Sequence, residues 1–264
     1  MDFTEIGERG VVLLGCGKMG GALLAGWLER GLPPGGVTVL DPKPSDWLAG
    51  TGVALNADLP PNPAITLIAV KPQMMGDALP ALRGLGDTLY VSIAAGTSIA
   101  AFTAAFGPEA RIVRAMPNTP AAIGRGITAI VSNDNATPAD LEMADTFLGA
   151  VGEVVRLDRE AQMDAVTGLS GSGPAYVFHM IEAMTEAGAA QGLDRDLALR
   201  LARATVAGAG ALAMTGEDPG QLRANVTSPN GTTQAGLEVL MAELPDLMAR
   251  TVGAAADRSR ELRG

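Results

Sequence analysis

Residues 11–20 read VVLLGCGKMG, a short apolar run followed by the pattern G-x-G-x-x-G. The helical sequence GALLAGWLER follows at 21–30. The glycine pattern is a weak signal by itself in a chain with 34 glycines. A strand before it and a helix after it make it typical of a turn that binds a dinucleotide. We therefore expect a strand, a tight glycine turn and a helix over residues 11–30.

The three glycines of this turn have separate physical roles. Gly15 permits the tight turn, Gly17 lets the backbone approach a pyrophosphate, and Gly20 lets helix and strand pack closely. The phosphates then lie at the positive end of the helix. Cys16 is expected to face the strand–helix junction as a small side chain, with a redox thiol as the alternative. The cofactor-binding residues predicted here are Gly15, Cys16, Gly17, Lys18, Met19 and Gly20.

Asp41 follows a second apolar run, VTVL at 37–40. An acidic residue at this place usually accepts a hydrogen bond from the ribose 2′-hydroxyl of NAD and repels the 2′-phosphate of NADP. Lys43 lies two residues later and would attract that phosphate. The sequence leaves the choice between NADPH and NADH open. Asp41 can also simply start the turn DPKP.

Apolar runs of four to six residues recur along the first 158 residues and alternate with helical stretches. They are rich in Val, Ile and Leu without polar alternation, which is typical of strands buried on both faces of a parallel sheet. The predicted strands are 11–15, 37–40, 65–70, 89–93 and 111–116, with 126–132 and 152–157 added at an edge. This pattern predicts the α/β class, with an N-terminal doubly wound sheet of Rossmann type.

The pattern becomes helical after residue 158, since no β-branched run of strand length follows. At 264 residues the chain is near the length at which one hydrophobic core divides into two. We therefore predict two domains. The dinucleotide-binding domain covers 1–158, and an all-α domain covers 159–264.

Three helices are predicted in the second half. The first spans 172–188, with Ser172 mainly as its N-cap; a contact of Ser172 with the nicotinamide is the alternative. The second, 194–214, is apolar almost all round, so it lies either in the core or against another subunit. The third shows helical spacing of apolar residues over 237–244 until Pro245 interrupts it, and the charged tail is expected to be a solvated helix end.

Composition argues against several classes of protein. The longest apolar runs fall short of the ~18 residues that a membrane helix needs, so no membrane partner is expected. One cysteine and one histidine argue against a zinc site, and no metal is expected. A net charge of −10 without a basic cluster argues against nucleic acid as a partner. The acidic N-terminal stretch does not resemble a signal peptide, so a cytoplasmic location is expected.

Six segments, read in order, resemble pyrroline-5-carboxylate reductase. They are GCGKMG (15–20), AVKPQ (69–73), SIAAGTSI (92–99), RAMPNTP (114–120), TGLSGSGPAY (167–176) and VTSPNGTT (226–233). The resemblance implies a helical C-terminal domain that binds substrate and interlocks with a partner subunit, as in the wider 6-phosphogluconate dehydrogenase-like group. A homodimer is therefore expected, with a higher oligomer as the alternative.

The resemblance also implies which residues lie along the cofactor, with NADPH as the expected donor and NADH as the alternative. Besides the glycine turn, Asp41 and Lys43, they are Asn56, Ala69, Val70, Lys71, Pro72, Met116, Pro117 and Asn118. Asn56 falls at the adenosine ribose, and the last three fall near the nicotinamide. A solvated role for Lys71 and a purely turn-organising role for Asn118 are the alternatives.

The turn at 228–231 is the predicted substrate site. A helix is expected to begin just after it, and successive backbone NH groups at the positive end of a helix bind a carboxylate without a basic side chain. The resemblance gives the Thr233 hydroxyl a hydrogen bond to the substrate ring nitrogen, which makes Thr233 the expected catalytic residue. An ordinary capped helix start is the alternative. The predicted substrate-binding residues are Ser228, Asn230, Gly231, Thr232 and Thr233, with Asn230 standing where the family usually has glycine.

The implied reaction is NAD(P)H-dependent reduction of the cyclic imine 1-pyrroline-5-carboxylate to L-proline, the final step of proline biosynthesis. A ring imine is readily protonated, so catalysis depends on positioning and charge placement. His179 is expected to be structural because it lies near the start of an apolar helical stretch, with a general acid as the alternative. A β-hydroxyacid dehydrogenase is disfavoured because the helix 174–188 has no lysine. A dinucleotide-binding regulatory protein without catalysis is the third hypothesis.

Overall fold

A computed structural model describes residues 3–262 of the chain. The chain divides into two compact units. The first consists of Met1–Gly171 with Ala255–Gly264, and the second is Ser172–Ala254.

The first unit extends further than the predicted boundary after residue 158. Met163 is fully buried and clusters with Met116 and Val131 of the sheet. This packing attaches the helical turns after the last strand to the first unit, so the division falls at Gly171. The residues between 158 and 171 have a helical sequence pattern, and that pattern does not show that they pack against the sheet.

An eight-stranded sheet forms the centre of the first unit in the described part of the chain. Its strands are β1 (Val11–Leu14), β2 (Val37–Leu40), β3 (Ala54–Leu55), β4 (Ile65–Ile68), β5 (Leu89–Ser92), β6 (Arg111–Met116), β7 (Gly126–Ser132) and β8 (Gly152–Arg156). The order across the sheet is β3-β2-β1-β4-β5-β6-β7-β8. All neighbours are parallel except β6 and β7. The predicted Rossmann-type sheet is confirmed, and β3 is an addition.

Seven α-helices of the described first unit precede, connect or follow these strands. They are α1 (Thr4–Arg9), α2 (Lys18–Glu29), α3 (Asp46–Ala49), α4 (Met75–Ala78), α5 (Ile99–Phe106), α6 (Pro138–Leu148) and α7 (Met163–Val166). The chain leaves β1 for β2 on one side and later returns to β4 on the other side of β1. Ligands of open α/β sheets bind at such a reversal, outside the carboxyl ends of the strands.

The two faces of the sheet carry separate hydrophobic cores. Leu13 of β1 contributes to one, and Val12 contributes to the other. In the first core, Trp27 of α2 stacks on Phe147 at 3.9 Å between ring centroids, and its Nε1 donates to the Phe147 carbonyl at 2.8 Å. Full burial of such a side chain contributes roughly 1.5–3 kcal/mol. This contact anchors α2 behind the glycine turn.

The second unit is helical, as predicted. Its helices are α8 (Gly173–Ala190), α9 (Arg195–Ala213), α10 (Pro219–Asn225) and most of α11 (Thr232–Glu261). A Cβ on Gly188 would lie 3.2 Å from Cβ of Ala198, so α8 and α9 approach closely there. Asp194 caps α9 by accepting from the backbone N of Asp196 and Leu197 at 3.0 and 3.1 Å.

Ser172 does not cap α8, which corrects the prediction. Its backbone is already helical, at φ −89° and ψ −19°, and its side chain makes no capping hydrogen bond. The physical reason is that the chain enters α8 from a π-helical turn, Thr167–Gly171, and not from an extended segment. A capping residue needs a non-helical backbone, which an extended segment would supply.

The prediction that Pro245 interrupts the last helix is wrong, since α11 continues through it to Glu261. A proline inside a helix removes one backbone hydrogen bond and costs about 3 kcal/mol. Burial of Ala256 and Ser259 near the helix end offsets part of this cost. Asp257, Arg258, Arg260 and Glu261 are exposed, so the expected solvated helix end is confirmed apart from Ser259.

Candidate functional site

The glycine turn after β1 is closed by two tight contacts. Gly15 has φ +88°, and a Cβ on it would lie 2.8 Å from Cγ1 of Val70. A Cβ on Gly20 would lie 2.5 Å from the Gly15 carbonyl oxygen. Atoms cannot approach this closely without displacement, so both positions require glycine. The backbone N of Gly15 donates to the Leu40 carbonyl at 2.8 Å, which joins the turn to β2.

Gly17, in contrast, faces open space, since a Cβ on it would meet no atom of the described residues within 4 Å. It is the N-cap of α2, and no side chain caps that helix. Backbone NH groups of the first turn are therefore available to an anion. Lys18 is exposed beside them, while Met19 packs partly against the core. This cradle fits the pyrophosphate of a dinucleotide.

Asp41, at the end of β2, is bonded to the glycine turn. Its Oδ2 accepts from the backbone N of Cys16 at 2.7 Å, and its Oδ1 accepts from the backbone N of Lys43 at 2.8 Å. Asn56 follows β3 with φ 51°. Its Oδ1 accepts from the backbone N of Asp41, and its Nδ2 donates to the Asp41 carbonyl, both at 2.9 Å. The Asn56 amide therefore clamps the backbone of Asp41.

The Cys16 thiol is half-buried in this turn. Burial and, to a lesser degree, the nearby Asp41 carboxylate raise its pKa from 9.0 to about 11. The thiolate is the reactive form of cysteine, and at neutral pH this thiol stays protonated. This supports the prediction of a small junction residue over that of a redox thiol.

The segment after β4 lies against the glycine turn. The backbone N of Ala69 donates to the Leu14 carbonyl at 2.8 Å, and Val70 contacts Gly15 as described above. Lys71 is exposed, and Pro72 begins a short 3₁₀ turn, Pro72–Met74. The structure therefore brings this predicted segment and the glycine turn together.

The segment after β6 is held by its own side chains. Asn118 is 9% exposed; its Oδ1 accepts from the backbone N of Ile127 at 3.0 Å, and its Nδ2 donates to the Ser170 carbonyl at 3.2 Å. This amide organises the turn, which is the alternative considered from the sequence. Met116 and Pro117 are buried, and a Cβ on Gly171 would lie 3.6 Å from the sulfur of Met116.

These segments follow β1, β2, β4 and β6, which run in the same direction. The carboxyl ends of parallel strands meet at one edge of a sheet. The residues predicted along the cofactor in the first unit therefore share that edge.

One buried ion pair at this edge was not predicted. Arg114 is 0% exposed, and its Nη1 donates to Oε1 of Glu160 at 2.8 Å. The same oxygen accepts from the backbone N of Ile99 at 2.9 Å, at the start of α5. An arginine inside an apolar strand, RIVRAM, is the signal that could have pointed to it.

The predicted substrate residues all lie in the second unit. The backbone N of Gly231 donates to the Ser228 carbonyl at 3.0 Å, and α11 begins at Thr232. Asn230 is left-handed at φ 55°, and its backbone N donates to Oε1 of Gln234 at 2.8 Å. The turn and helix start predicted from the sequence are therefore present.

Most side chains of this turn are exposed in the single chain. Ser228, Asn230, Thr232 and Thr233 are exposed. Beside them, α10 and α11 line a groove of about 470 Å³, with Thr227, Gln234, Leu237, Glu238 and Met241 among its residues. First-turn NH groups at Thr232 and Thr233 can receive an anion.

The structural role expected for His179 stays a prediction. Its side chain is 82% exposed on α8, and Nδ1 lies 3.0 Å from Oε2 of Glu182. Its sequence neighbours Phe178 and Met180 are also exposed within the single chain.

Within residues 3–262 the structure contains no group of three or more His, Cys, Asp or Glu side chains that could hold a metal ion. Over the same residues, no helix is both long and apolar enough to span a membrane.

Comparison with known families gives two matches. Residues 160–262 match the family described as pyrroline-5-carboxylate reductase dimerisation. Residues 10–96 match the family described as NADP oxidoreductase, coenzyme F420-dependent.

Two similar relatives are both pyrroline-5-carboxylate reductases. The protein from Pseudomonas aeruginosa is 38% identical over 262 residues, covering 96% of this chain and 96% of the relative. The protein from Methanosarcina acetivorans is 39% identical over 260 residues, covering 94% and 96%.

Solved structures show the same similarity. A pyrroline-5-carboxylate reductase from Coxiella burnetii has a TM-score of 0.90 at 31% identity and covers 97% of this chain and 99% of its own. Plasmodium falciparum pyrroline carboxylate reductase with NADP bound has a TM-score of 0.84 at 29% identity and covers 98% and 100%.

Proposed function

The chain belongs to the pyrroline-5-carboxylate reductase family, and we infer from this that it reduces 1-pyrroline-5-carboxylate to L-proline with NAD(P)H, the final step of proline biosynthesis. The observation that carries the inference is the 38–39% identity to two pyrroline-5-carboxylate reductases over almost the whole chain. The glycine turn adds the dinucleotide site. Neighbouring atoms leave no room for a side chain at Gly15 or Gly20, while the free space at Gly17 gives a pyrophosphate access to the N-terminus of α2.

The reaction adds a hydride to the imine carbon of the substrate ring. The nicotinamide supplies that hydride when the cofactor is bound. The ring nitrogen carries the proton that makes the carbon electrophilic, and the electron pair of the C=N bond ends on that nitrogen. Proline and the oxidised cofactor are the products.

We propose that the turn 228–233 holds the substrate. Backbone NH groups at the start of α11 would bind its carboxylate, and the Thr233 hydroxyl would bond to the ring nitrogen. Exposure of Thr233 and the left-handed turn at Asn230, which opens the helix start, support this assignment.

The proposed cofactor residues are those named from the sequence at the carboxyl edge of the sheet. NADPH is the proposed donor, and NADH is the alternative. The NADP in the Plasmodium falciparum structure and the NADP-oxidoreductase family match over residues 10–96 support this choice. Exposed Lys43 beside Asp41 is available to a 2′-phosphate.

We propose a homodimer formed through the helical unit, with a higher oligomer as the alternative. The dimerisation family match covers residues 160–262. Large apolar side chains are exposed along α8 and α9 within the chain, including Val177, Phe178, Met180, Leu197, Leu201 and Leu212. An apolar surface of this kind is typical of an interface between subunits. The proposed location is the cytoplasm.

The test is a pair of initial-rate measurements with 1-pyrroline-5-carboxylate, one with NADPH and one with NADH. Oxidation of either cofactor with formation of proline is expected, and NADPH is expected to give the higher kcat/KM. Absence of turnover with both cofactors, in a protein that binds a dinucleotide by calorimetry, would leave the non-catalytic regulatory hypothesis.

Thr233→Ala tests the substrate site separately. We expect kcat to fall by about tenfold or more, the effect of losing one hydrogen bond to the reacting group, with the Kd of the cofactor unchanged. Thr251→Ala is the matched control, since Thr251 lies on the same helix with its hydroxyl bonded to the Leu247 carbonyl at 2.8 Å. Equal kcat values for the two variants would remove Thr233 from the mechanism.

A further inference from the structure

The carboxylate of Asp41 accepts hydrogen bonds from two backbone NH groups of the chain itself. Its Oδ2 accepts from Cys16 N at 2.7 Å and its Oδ1 from Lys43 N at 2.8 Å. An acidic residue that selects NAD directs its oxygens towards the ribose hydroxyls. Here two backbone donors of the chain itself set the plane of the carboxylate.

The bond to Cys16 acts on the geometry of the glycine turn. The NH of Cys16 belongs to the peptide that joins it to Gly15, whose own N donates to the Leu40 carbonyl at 2.8 Å. Two successive peptides of the turn are therefore bonded to the end of β2. Hydrogen bonds to an ionised acceptor are about twice as strong as neutral ones. The orientation of the next NH groups, which face the open space at Gly17, follows from these two bonds.

Asn56 supports Asp41 from the other side. Its amide bonds both backbone groups of Asp41 at 2.9 Å, and its own backbone N donates to the Val39 carbonyl at 2.8 Å. The left-handed backbone at Asn56, φ 51°, is what turns the amide back onto Asp41. A continuous set of hydrogen bonds thus extends from the end of β3 through Asp41 to the glycine turn.

We propose that Asp41, held by Asn56, is a positioning residue that shapes the glycine turn for the pyrophosphate of either nicotinamide dinucleotide, and is not the residue that selects between them. The proposal rests on dinucleotide binding at this turn, which is part of the proposed function. Selection for or against a 2′-phosphate then falls to exposed groups after β2, with Lys43 the first of them.

Asp41→Asn is the variant that tests this. An amide cannot accept from both backbone donors, because in either orientation its NH2 group faces the N of Cys16 or of Lys43. The control is Asp46→Asn. It removes the same charge from an exposed residue of α3, in the connection between β2 and β3. Dissociation constants of NADPH and NADH are measured by isothermal titration calorimetry in the absence of imine.

We expect both dissociation constants of Asp41→Asn to rise by about tenfold, as for one lost charge-assisted hydrogen bond in the binding loop. The ratio of the NADPH constant to the NADH constant should equal the ratio measured for Asp46→Asn. Both constants of Asp46→Asn should match the wild type. Weaker binding of NADH alone, or tighter binding of NADPH than in the control, would instead assign Asp41 to the ribose. Unchanged constants for both cofactors would also overturn the proposal.

Asn56→Gly keeps the proposal testable if Asp41→Asn fails to fold, as judged by circular dichroism. Glycine accepts the left-handed backbone and removes the amide that clamps Asp41. Both constants should rise by a common factor; a change for one cofactor only would contradict the positioning role. The binding measurement uses no imine, so it does not depend on turnover. A protein that binds dinucleotide but does not reduce pyrroline-5-carboxylate would refute the proposed function and leave this inference standing.

Discussion

Ser259 donates its hydroxyl to Oδ1 of Asp164 at 2.8 Å, and the two residues are 3% and 1% exposed. The bond joins the last turns of α11 to α7 within the first unit. Close by in sequence, Leu262 contacts Gly96, where an added Cβ would lie 3.1 Å from the leucine Cβ. The last described turns of α11 therefore pack within the first unit, beside the loop that follows β5.

Ser259→Ala should lower the free energy of unfolding by about 1–3 kcal/mol, because Oδ1 of buried Asp164 loses its Ser259 donor. Urea unfolding followed by circular dichroism measures the change. Asp257→Ala is the control: Asp257 pairs with Arg260 on the exposed side of the same turns, and exposed pairs contribute about 0–1 kcal/mol. Equal losses in the two variants would contradict the structural role of the Ser259 bond.

Gly17→Ala and Gly20→Ala should both weaken dinucleotide binding, but only Gly20→Ala should also lower stability. A methyl group at Gly17 meets no neighbour within 4 Å among the described residues, so the variant should unfold at the wild-type temperature but bind dinucleotide at least about tenfold more weakly. At Gly20 the methyl group lies 2.5 Å from the Gly15 carbonyl, so stability should fall as well. Thermal unfolding and calorimetry separate the two effects. Gly35→Ala, also in open space and away from the turn, should change neither.

Asn230 tests the turn at the proposed substrate site. Its left-handed backbone, φ 55°, is accepted by glycine without strain but costs a residue such as alanine about 1–2 kcal/mol. Asn230→Gly should therefore keep the wild-type kcat/KM for pyrroline-5-carboxylate, and Asn230→Ala should lower it severalfold without changing cofactor affinity. A severe loss in Asn230→Gly would show that the asparagine side chain itself is required.

Alkylation of Cys16 should report its raised pKa. Because Cys16 is the only cysteine of the chain, the rate of iodoacetamide labelling follows one thiol. The rate should remain low at pH 9 and rise with a midpoint at about 11, since burial and then Asp41 disfavour the thiolate. Asp41→Asn should lower the midpoint while burial keeps it above 9.0. A wild-type midpoint at or below 9.0 would contradict this environment.

The same shift has a consequence for stability. A proton held more tightly in the folded than in the unfolded chain stabilises the fold below the unfolded pKa. The contribution of Cys16 is therefore present below pH 9.0 and is lost as the pH rises towards about 11. Cys16→Ser should remove this part of the pH dependence.

Much of the sheet was predictable because each long strand is a run of apolar residues bounded by turns. VTVL and RIVRAM became β2 and β6 within the predicted bounds. The strand β3 has only Ala54 and Leu55, which is too short to produce a pattern. It forms because it pairs in parallel with β2, a contact between residues distant in sequence.

The errors in the helical half have the same origin. Pro245 has a strong local preference against a helix interior, yet α11 continues through it to Glu261, with Ala256 and Ser259 buried near its end. Ser172 is a favoured capping residue, but the backbone reaches it in a helical conformation from the preceding turn. Local preferences amount to about 1–3 kcal/mol, and packing of distant residues outweighs them.

The glycine turn could be identified from residues 11–20 alone, because G-x-G-x-x-G stands there directly after an apolar run and before a helical stretch. The contacts of Gly15 with Val70 and Leu40 form only in the folded sheet. The sequence also identified the family and the turn at 228–233. The bonding of Asp41 could not be inferred, since its carboxylate is directed by the backbone NH of Cys16 and its backbone by the amide of Asn56. These residues come together only when β1, β2 and β3 pair, and tertiary structure therefore decides which way an acidic side chain at the strand end faces.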